Sequence, residues 1–293
     1  MLKRVGLFIL TNLAVLLVLN FVLLLIEPWL TAQGISVENA AIWIIALVFG
    51  MGGALVSLAL SKTMALRSTG AKVIKTPQND RERWLVEVVT RQAKEMGVGT
   101  PDMAIYQAPE PNAFATGASR NRALVAVSTG LLDAMSPNEV EAVIGHEMAH
   151  VANGDMITLT LLQGVLNTFV LVLSRVLGQM IDRAVFKSNR GYGPGYFISV
   201  LVLQVILGIF ASMIVMAFSR WREYRADSGG ARLAGRANMI SALQTLGRVS
   251  GRADLPESVE AFGIRGRVGG GLKALLMSHP PIEKRIRALE MGG

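Results

Sequence analysis

The 293-residue sequence contains no cysteine. Disulfides and thiolate metal sites are therefore excluded, and any metal ion must be held by histidine, aspartate or glutamate. Histidine is nearly as scarce: there are three in the chain, and two of them, His146 and His150, stand four apart. Charged residues make up only 17% against 52% hydrophobic, and mean hydropathy is +0.45, a balance shifted from soluble domains toward membrane proteins. The formal charge of +8 comes without a basic stripe interleaved with aromatics, so nucleic acid is not an expected partner. Lys and Arg are scattered or flank apolar runs, as the positive-inside rule accounts for.

Apolar runs long enough to cross a bilayer, which takes about 20 helical residues, lie near Val5–Ile26, Ala40–Leu60, Met156–Val185 and Phe197–Ser219. The first starts like a signal peptide, but its apolar run is long and no small-residue cleavage site follows, so it reads as a retained anchor. The loop after it carries Glu27 and Glu38 and no Lys or Arg, whereas Lys3, Arg4, Lys62, Arg67, Lys72 and Lys75 flank the outer ends. That pattern predicts a hairpin with both termini cytoplasmic. The third and fourth runs form a second hairpin, spanning or membrane-associated, whose two ends emerge on the same side.

The expected organisation is thus a transmembrane hairpin over residues 1–61, a cytoplasmic block over 62–155, a second apolar hairpin over 156–219 and a second cytoplasmic block over 220–293. In the first block, residues 79–99 read as an amphipathic helix closed near Gly97. Short strand-like runs follow at Met103–Gln107, Asn112–Thr116 and Ala123–Ser128, separated by turn residues. The predicted class is α+β: a mostly helical multi-pass membrane protein with a small β-sheet.

The stretch "SPNEVEAVIGHEMAHVANGD" has the punctuation of one helix. Ser136 is placed to cap it, Pro137 to begin it and Glu139 to complete a capping box, while Asn153-Gly154 ends it. At about 100° per residue, His146 and His150 fall roughly 40° apart on one face, so both imidazoles can reach one ion. Glu147 falls in the stripe formed by Val140, Val143, Ile144 and Val151, where a carboxylate is costly unless compensated. A zinc-bound water, whose proton the carboxylate takes, is such a partner.

A hydrolytic zinc needs a third protein ligand and an open position. Met156 stands where a third histidine would sit in one common spacing, and Asp155 is a near miss in that register. Glu223 in "RWREYRADSGG" is the better candidate. Glu223 and Asp227 share a helical face, where like charges repel unless zinc takes Glu223 and a ligand imidazole donates to Asp227. The alternative is a charged membrane-flanking helix neutralised by Arg220, Arg222 and Arg225.

"HEMAH", "EYRAD" beyond an apolar hairpin, and "SHPPIEKRI" near the C-terminus, all behind an N-terminal apolar hairpin, resemble the HtpX-type membrane zinc endopeptidases. These are bacterial relatives of the prenyl-protein (CAAX) proteases. The resemblance extends to "TNLAVLL", "SKTMALRS", "NAFATG" and "LVAVSTGLL"; Ala149 departs from it, standing where many relatives have serine. It implies a gluzincin-like domain in which His146, His150 and Glu223 bind one Zn2+, Glu147 activates the water and Asp227 orients a ligand imidazole. It further implies cleavage of misfolded or damaged membrane proteins at the cytoplasmic face of the bacterial inner membrane, alongside other membrane quality-control proteases. Asn112, Ala113 and Phe114 would belong to an edge strand that pairs with extended substrate; a short core strand is the alternative. His279 and Arg285 match a family motif near the active site, where either could stabilise the oxyanion, or they could simply begin the last helix. Three rival activities stay open at this point: cleavage within the bilayer, CAAX processing, and a non-catalytic membrane adaptor or chaperone with structural zinc.

Overall fold

The computed structural model describes residues 50–188, 193–250 and 277–292. The predicted N-terminal hairpin lies outside these residues except for its last part. There, helix α1 (Gly53–Thr69) runs past the expected end at Leu60 to include Lys62 and Arg67. The chain divides into two compact units, Met1–Ser57 with Thr158–Val215, and Leu58–Ile157 with Met216–Gly293.

The second unit carries a four-stranded sheet in the order β1-β2-β4-β3, formed by Lys72–Val73, Asp102–Tyr106, Ala113–Thr116 and Leu124–Ser128 in chain order. β2 and β4 pair in parallel, and β1 and β3 add to them antiparallel at either edge. All five residues of β4 are buried, as a central strand covered on both faces requires. On one face, Val125, Val127 and Met103 join the main core, with Ala113 and Ala115 packed against it. On the other, Ala104, Tyr106, Leu124 and Ala126 gather Phe114 and Leu66.

Helix α2 (Asp80–Met96) has Asn79 accepting from the Glu82 N–H at its start and Gly97 in the left-handed conformation at its end. This is the αL stop that glycine adopts without a Cβ penalty. A short helix α3 (Thr129–Ala134) leads to α4 (Pro137–Asn153), which carries the histidine pair. The capping box forms, and Glu139 does more than close it. Its Oε2 accepts the Ser136 N–H and hydroxyl at 2.9 Å each, while its Oε1 accepts hydroxyls from Ser241 at 2.7 Å and Thr245 at 2.8 Å. Both donors lie on α7 (Arg236–Ser250), so one carboxylate ties the start of α4 to a helix about a hundred residues on.

Among the described residues, two helices are long and apolar enough to cross a membrane, α5 (Asp155–Ala184) and α6 (Pro194–Ala234). α6 is 41 residues long and continues without a break from the apolar run into "RWREYRAD". Phe197, Leu201, Val205, Ile209 and Phe210 line its exposed side. The last element, α8 (Ile282–Glu290), buries Ile282 and Leu289.

In the second unit, α4 and the polar half of α6 approach through small residues. A Cβ placed on Gly145 would stand 3.2 Å from the Gly230 Cα; one on Gly229 would stand 2.4 Å from the Ala149 Cβ, and one on Gly230 would stand 3.0 Å from the His146 N. Close backbone approach of this kind needs small side chains on both helices. Gly229→Ala should therefore force these helices apart, destabilising the protein by about 1–3 kcal/mol and weakening metal uptake. Thermal unfolding and metal titration of the variant check this; unchanged values for both would reject the crossing as a constraint.

Candidate metal centre

The α4–α6 crossing sets Glu223 against both histidines. One donor atom from each of His146, His150 and Glu223 lies within 4.8 Å of the others, and all three residues are buried. Glu223 Oε1 is 3.2 Å from His150 Nε2, and Glu223 Oε2 is 3.5 Å from His146 Nε2. Glu223 is fully buried, and its Oε1 has no hydrogen-bond donor. A carboxylate oxygen withdrawn from water without a donor is strongly unfavourable, and a cation shared with the two Nε2 atoms relieves it. The donor set therefore fits a metal ion, held by two imidazoles and a carboxylate.

Each histidine is oriented from behind. His146 Nδ1 lies 2.9 Å from Asp227 Oδ1, and His150 Nδ1 lies 2.8 Å from Asp155 Oδ2. With the carboxylates accepting at Nδ1, both Nε2 atoms turn toward Glu223, the arrangement that fixes the tautomer of ligand histidines. Asp155 is the residue that spacing alone treats as a near-miss ligand; it instead serves His150 from the first turn of α5, just past the left-handed Gly154. The signal lay in the tight stop. A glycine cap followed at once by a new helix folds the fifth residue after His150 back onto its ring.

Arg285 is buried and forks onto Asp227, with Nε donating to Oδ2 at 2.8 Å and Nη2 to Oδ1 at 2.6 Å. Its Nη1 lies 3.6 Å from Glu223 Oε2. Both carboxylate oxygens of Asp227 are thus occupied by a guanidinium that its position in "SHPPIEKR" does not foretell. His279 places Nδ1 2.6 Å from Glu223 Oε2 and keeps its side chain 29% exposed.

Glu147, expected in the apolar stripe, is half-buried, while Ile144, Met148 and Val151 around it are covered. It is thus the point on the middle of α4 that faces open space. The strand containing Asn112, Ala113 and Phe114 is an edge of the sheet. Asn112 exchanges both main-chain groups with Ser128, its N–H reaching Oγ and its carbonyl accepting the Ser128 N–H, each at 2.9 Å. Alternation along the strand then turns the main-chain groups of Phe114 toward β4, and those of Ala113 and Ala115 outward. The Phe114 ring packs on Tyr106, with centroids 5.7 Å apart.

The electrostatics follow from this packing. Burial disfavours charge on His146, but hydrogen bonding to Asp227 and Glu223 overrides it and pushes the imidazole up to about 10. His150 is raised likewise, its burial overcome by Asp155 and Glu223. Burial would raise Asp227, yet the Arg285 charge brings it down to about 2. Glu223 is held well below the usual carboxylate range against its own burial, first by His279 and then by the two other histidines.

Two imidazoles and a carboxylate on crossing helices, with a further glutamate on the motif helix and an edge strand in the same unit, match the donor set and surroundings that a metallopeptidase uses. The model of peptidase family M48 matches residues 79–291. Protease HtpX of Alkalilimnicola ehrlichii is 55% identical over 295 residues, covering 99% of this chain and 98% of that protein. Protease HtpX of Nitrosococcus oceani is 57% identical over 292 residues, covering 99% of each. Among solved structures, S. mikatae Ste24p superposes with a TM-score of 0.62 at 14% identity, covering 99% of this chain and 67% of that one. The chain belongs to peptidase family M48 and is a membrane metalloprotease.

Asp155→Ala should lower metal affinity about 10- to 100-fold, whereas Asp155→Asn, which keeps an acceptor oxygen, should lose less. Competition with a chromophoric chelator measures both, and equal affinity in Asp155→Ala and the unaltered chain would remove Asp155 from the site. In the metal-stripped chain the raised His146 contributes stability that is full below 6.5 and fades as pH rises through about 10. Metal uptake near neutral pH should accordingly release protons, and affinity should climb toward alkaline pH. Calorimetry in buffers of different ionisation enthalpy reads the proton count.

Proposed function

We propose that the chain is a zinc-dependent endopeptidase of the bacterial cytoplasmic membrane that hydrolyses misfolded or damaged membrane proteins at the cytoplasmic face. The observation carrying this reading is the buried His146–His150–Glu223 cluster, with its donor atoms within 4.8 Å of one another, on the same helix as a half-buried Glu147. Zinc suits two imidazoles and a carboxylate in a chain without cysteine. The basic residues flanking the apolar runs support a cytoplasmic site, and the apolar lengths of α5 and α6 support several membrane passes.

Bound there, zinc supplies Lewis acidity, acidifying a water and polarising a peptide carbonyl. Glu147 takes the proton of the attacking water on a carboxylate oxygen. It then delivers that proton to the amine nitrogen as the C–N bond breaks. Asp155 and Asp227 hold the imidazoles with Nε2 forward, and Arg285 holds Asp227. The outward main-chain groups of Ala113 and Ala115 pair with a substrate in extended conformation, so selection rests on an unfolded backbone more than on side-chain identity. Main-chain pairing of this kind suits a protease of misfolded proteins. His279, with Nδ1 on Glu223, offers Nε2–H to the oxyanion in its doubly protonated form; Arg285, buried and forked onto Asp227, acts through that carboxylate.

The chain should be purified in detergent, stripped, reloaded with zinc and given an unfolded protein. Glu147→Gln should bind zinc as the unaltered chain does and cleave about 10²- to 10⁴-fold more slowly. Equal cleavage by both would remove Glu147 as the base. Zinc binding by both with cleavage by neither, across several unfolded substrates, would favour a non-catalytic adaptor.

A further inference from the structure

A groove of about 590 Å3 lies wholly within the second unit, lined along α6 by Trp221, Arg225, Ser228 and Arg232, and closed by Asn153 of α4 and Leu289 of α8. The α6 residues recur at the three- and four-residue spacing of one helical face. Arg225 sits 5.1 Å over the Trp221 ring and donates to Asn153 Oδ1 at 3.2 Å. Arg232 donates to Met96 Sδ at 3.2 Å.

Among the described residues, neither of these two guanidinium groups has a carboxylate within ion-pair distance. The carboxylate that does reach the groove, Asp227, is already engaged by Arg285. The groove therefore presents uncompensated positive charge beside an indole that is 55% exposed. Its place along α6 says what could neutralise it. The apolar run ends at Ser219, so Trp221 and Arg225 stand about 3 and 9 Å further along the axis at 1.5 Å per residue. The headgroup layer is about 5–8 Å deep on each side of a bilayer, and an exposed tryptophan beside arginine is the usual anchor at that depth.

We propose that this groove binds the headgroup phosphate of an anionic glycerophospholipid. Arg225, folded back over Trp221 toward the apolar end of α6, contacts the phosphate, Trp221 lies against the glycerol region, and Arg232, roughly 20 Å past Ser219 at 1.5 Å per residue, adds positive field from beyond the headgroup layer. A zwitterionic lipid offers the same phosphate but brings an ammonium group that the two arginines repel, so the site discriminates by net charge. The proposal requires α6 to enter the bilayer and does not depend on the proteolytic reading.

The test uses the full-length zinc-loaded chain in phosphatidylcholine discs with and without phosphatidylglycerol, with retained lipid counted by native mass spectrometry. The unaltered chain should retain phosphatidylglycerol in preference to phosphatidylcholine. The double variant Arg225→Gln, Arg232→Gln should lose roughly 30-fold of that preference, with zinc content and thermal unfolding unchanged; Arg225→Lys, Arg232→Lys should keep most of it. No preference in the unaltered chain, or a preference that survives the double Gln change, overturns the site. Displacement of the lipid by inorganic phosphate or glycerophosphoglycerol alone would overturn the lipid assignment in favour of a soluble phosphate ligand. Because this competition needs only the unaltered chain, the proposal stays testable if the double variant folds poorly.

Discussion

Glu223 has nowhere to go but a cation. Its side chain is removed from water, one oxygen takes a hydrogen bond from His279, and the other, 3.2 Å from His150 Nε2, has no donor while that nitrogen is unprotonated. Leaving a buried carboxylate oxygen so exposed to desolvation costs several kcal/mol by ordinary reckoning, and no further packing of apolar groups offsets it. The surrounding structure makes sense as the means of holding that oxygen where a metal ion, together with two imidazole nitrogens, can meet it. The motif helix, the crossing of α4 with α6 and the return of α8 all converge on this carboxylate.

That convergence depends on how thin the helices are where they meet. With Gly145 against Gly230, and Ala149 against Gly229, the backbones come close enough for a short side chain one or two turns away to reach its partner. Larger residues would widen the gap beyond the reach of a glutamate. Ala149 lies in this seam, where its size matters and its polarity does not. Glu139 acts at the other end of α4, fastening the helix start to α7 through two hydroxyls, so the histidines project from a helix fixed at both ends.

Much of this could be read from the residues. Helix boundaries at Ser136, Pro137 and Gly154, and at Asn79 and Gly97, followed from capping chemistry, which is local and written in adjacent letters. The strands near 103, 113 and 124 followed from alternation and turns. The parts that stayed hidden join residues far apart in the chain. Nothing in "RANMISALQT" announces that Ser241 and Thr245 will serve Glu139, and nothing in "SHPPIEKR" announces that Arg285 will fork onto Asp227. The two-residue strand β1 was equally silent, being too short to show a period and formed only because β2 offers it an edge. Glu147 shows the limit of a helical wheel, which assigns a face without saying where that face opens: α4 is covered on almost every side, and the opening falls at the carboxylate.

The charge balance explains why the site holds together with or without its ion. Around the histidines stand Glu223, Asp227 and Asp155, three carboxylates against one guanidinium, Arg285. Carboxylates outnumber the guanidinium there, and a cation bound to neutral imidazoles offsets the excess. Without an ion, hydrogen bonding to Asp227 and Glu223 lifts His146 to about 10, and Asp155 and Glu223 raise His150 as well, so that protons answer the same excess of negative charge that a metal ion answers. The carboxylates thus do more than orient the rings: they draw positive charge to the centre, and their hydrogen bonds through Nδ1 ensure that metal and proton compete for the Nε2 side of the same two imidazoles.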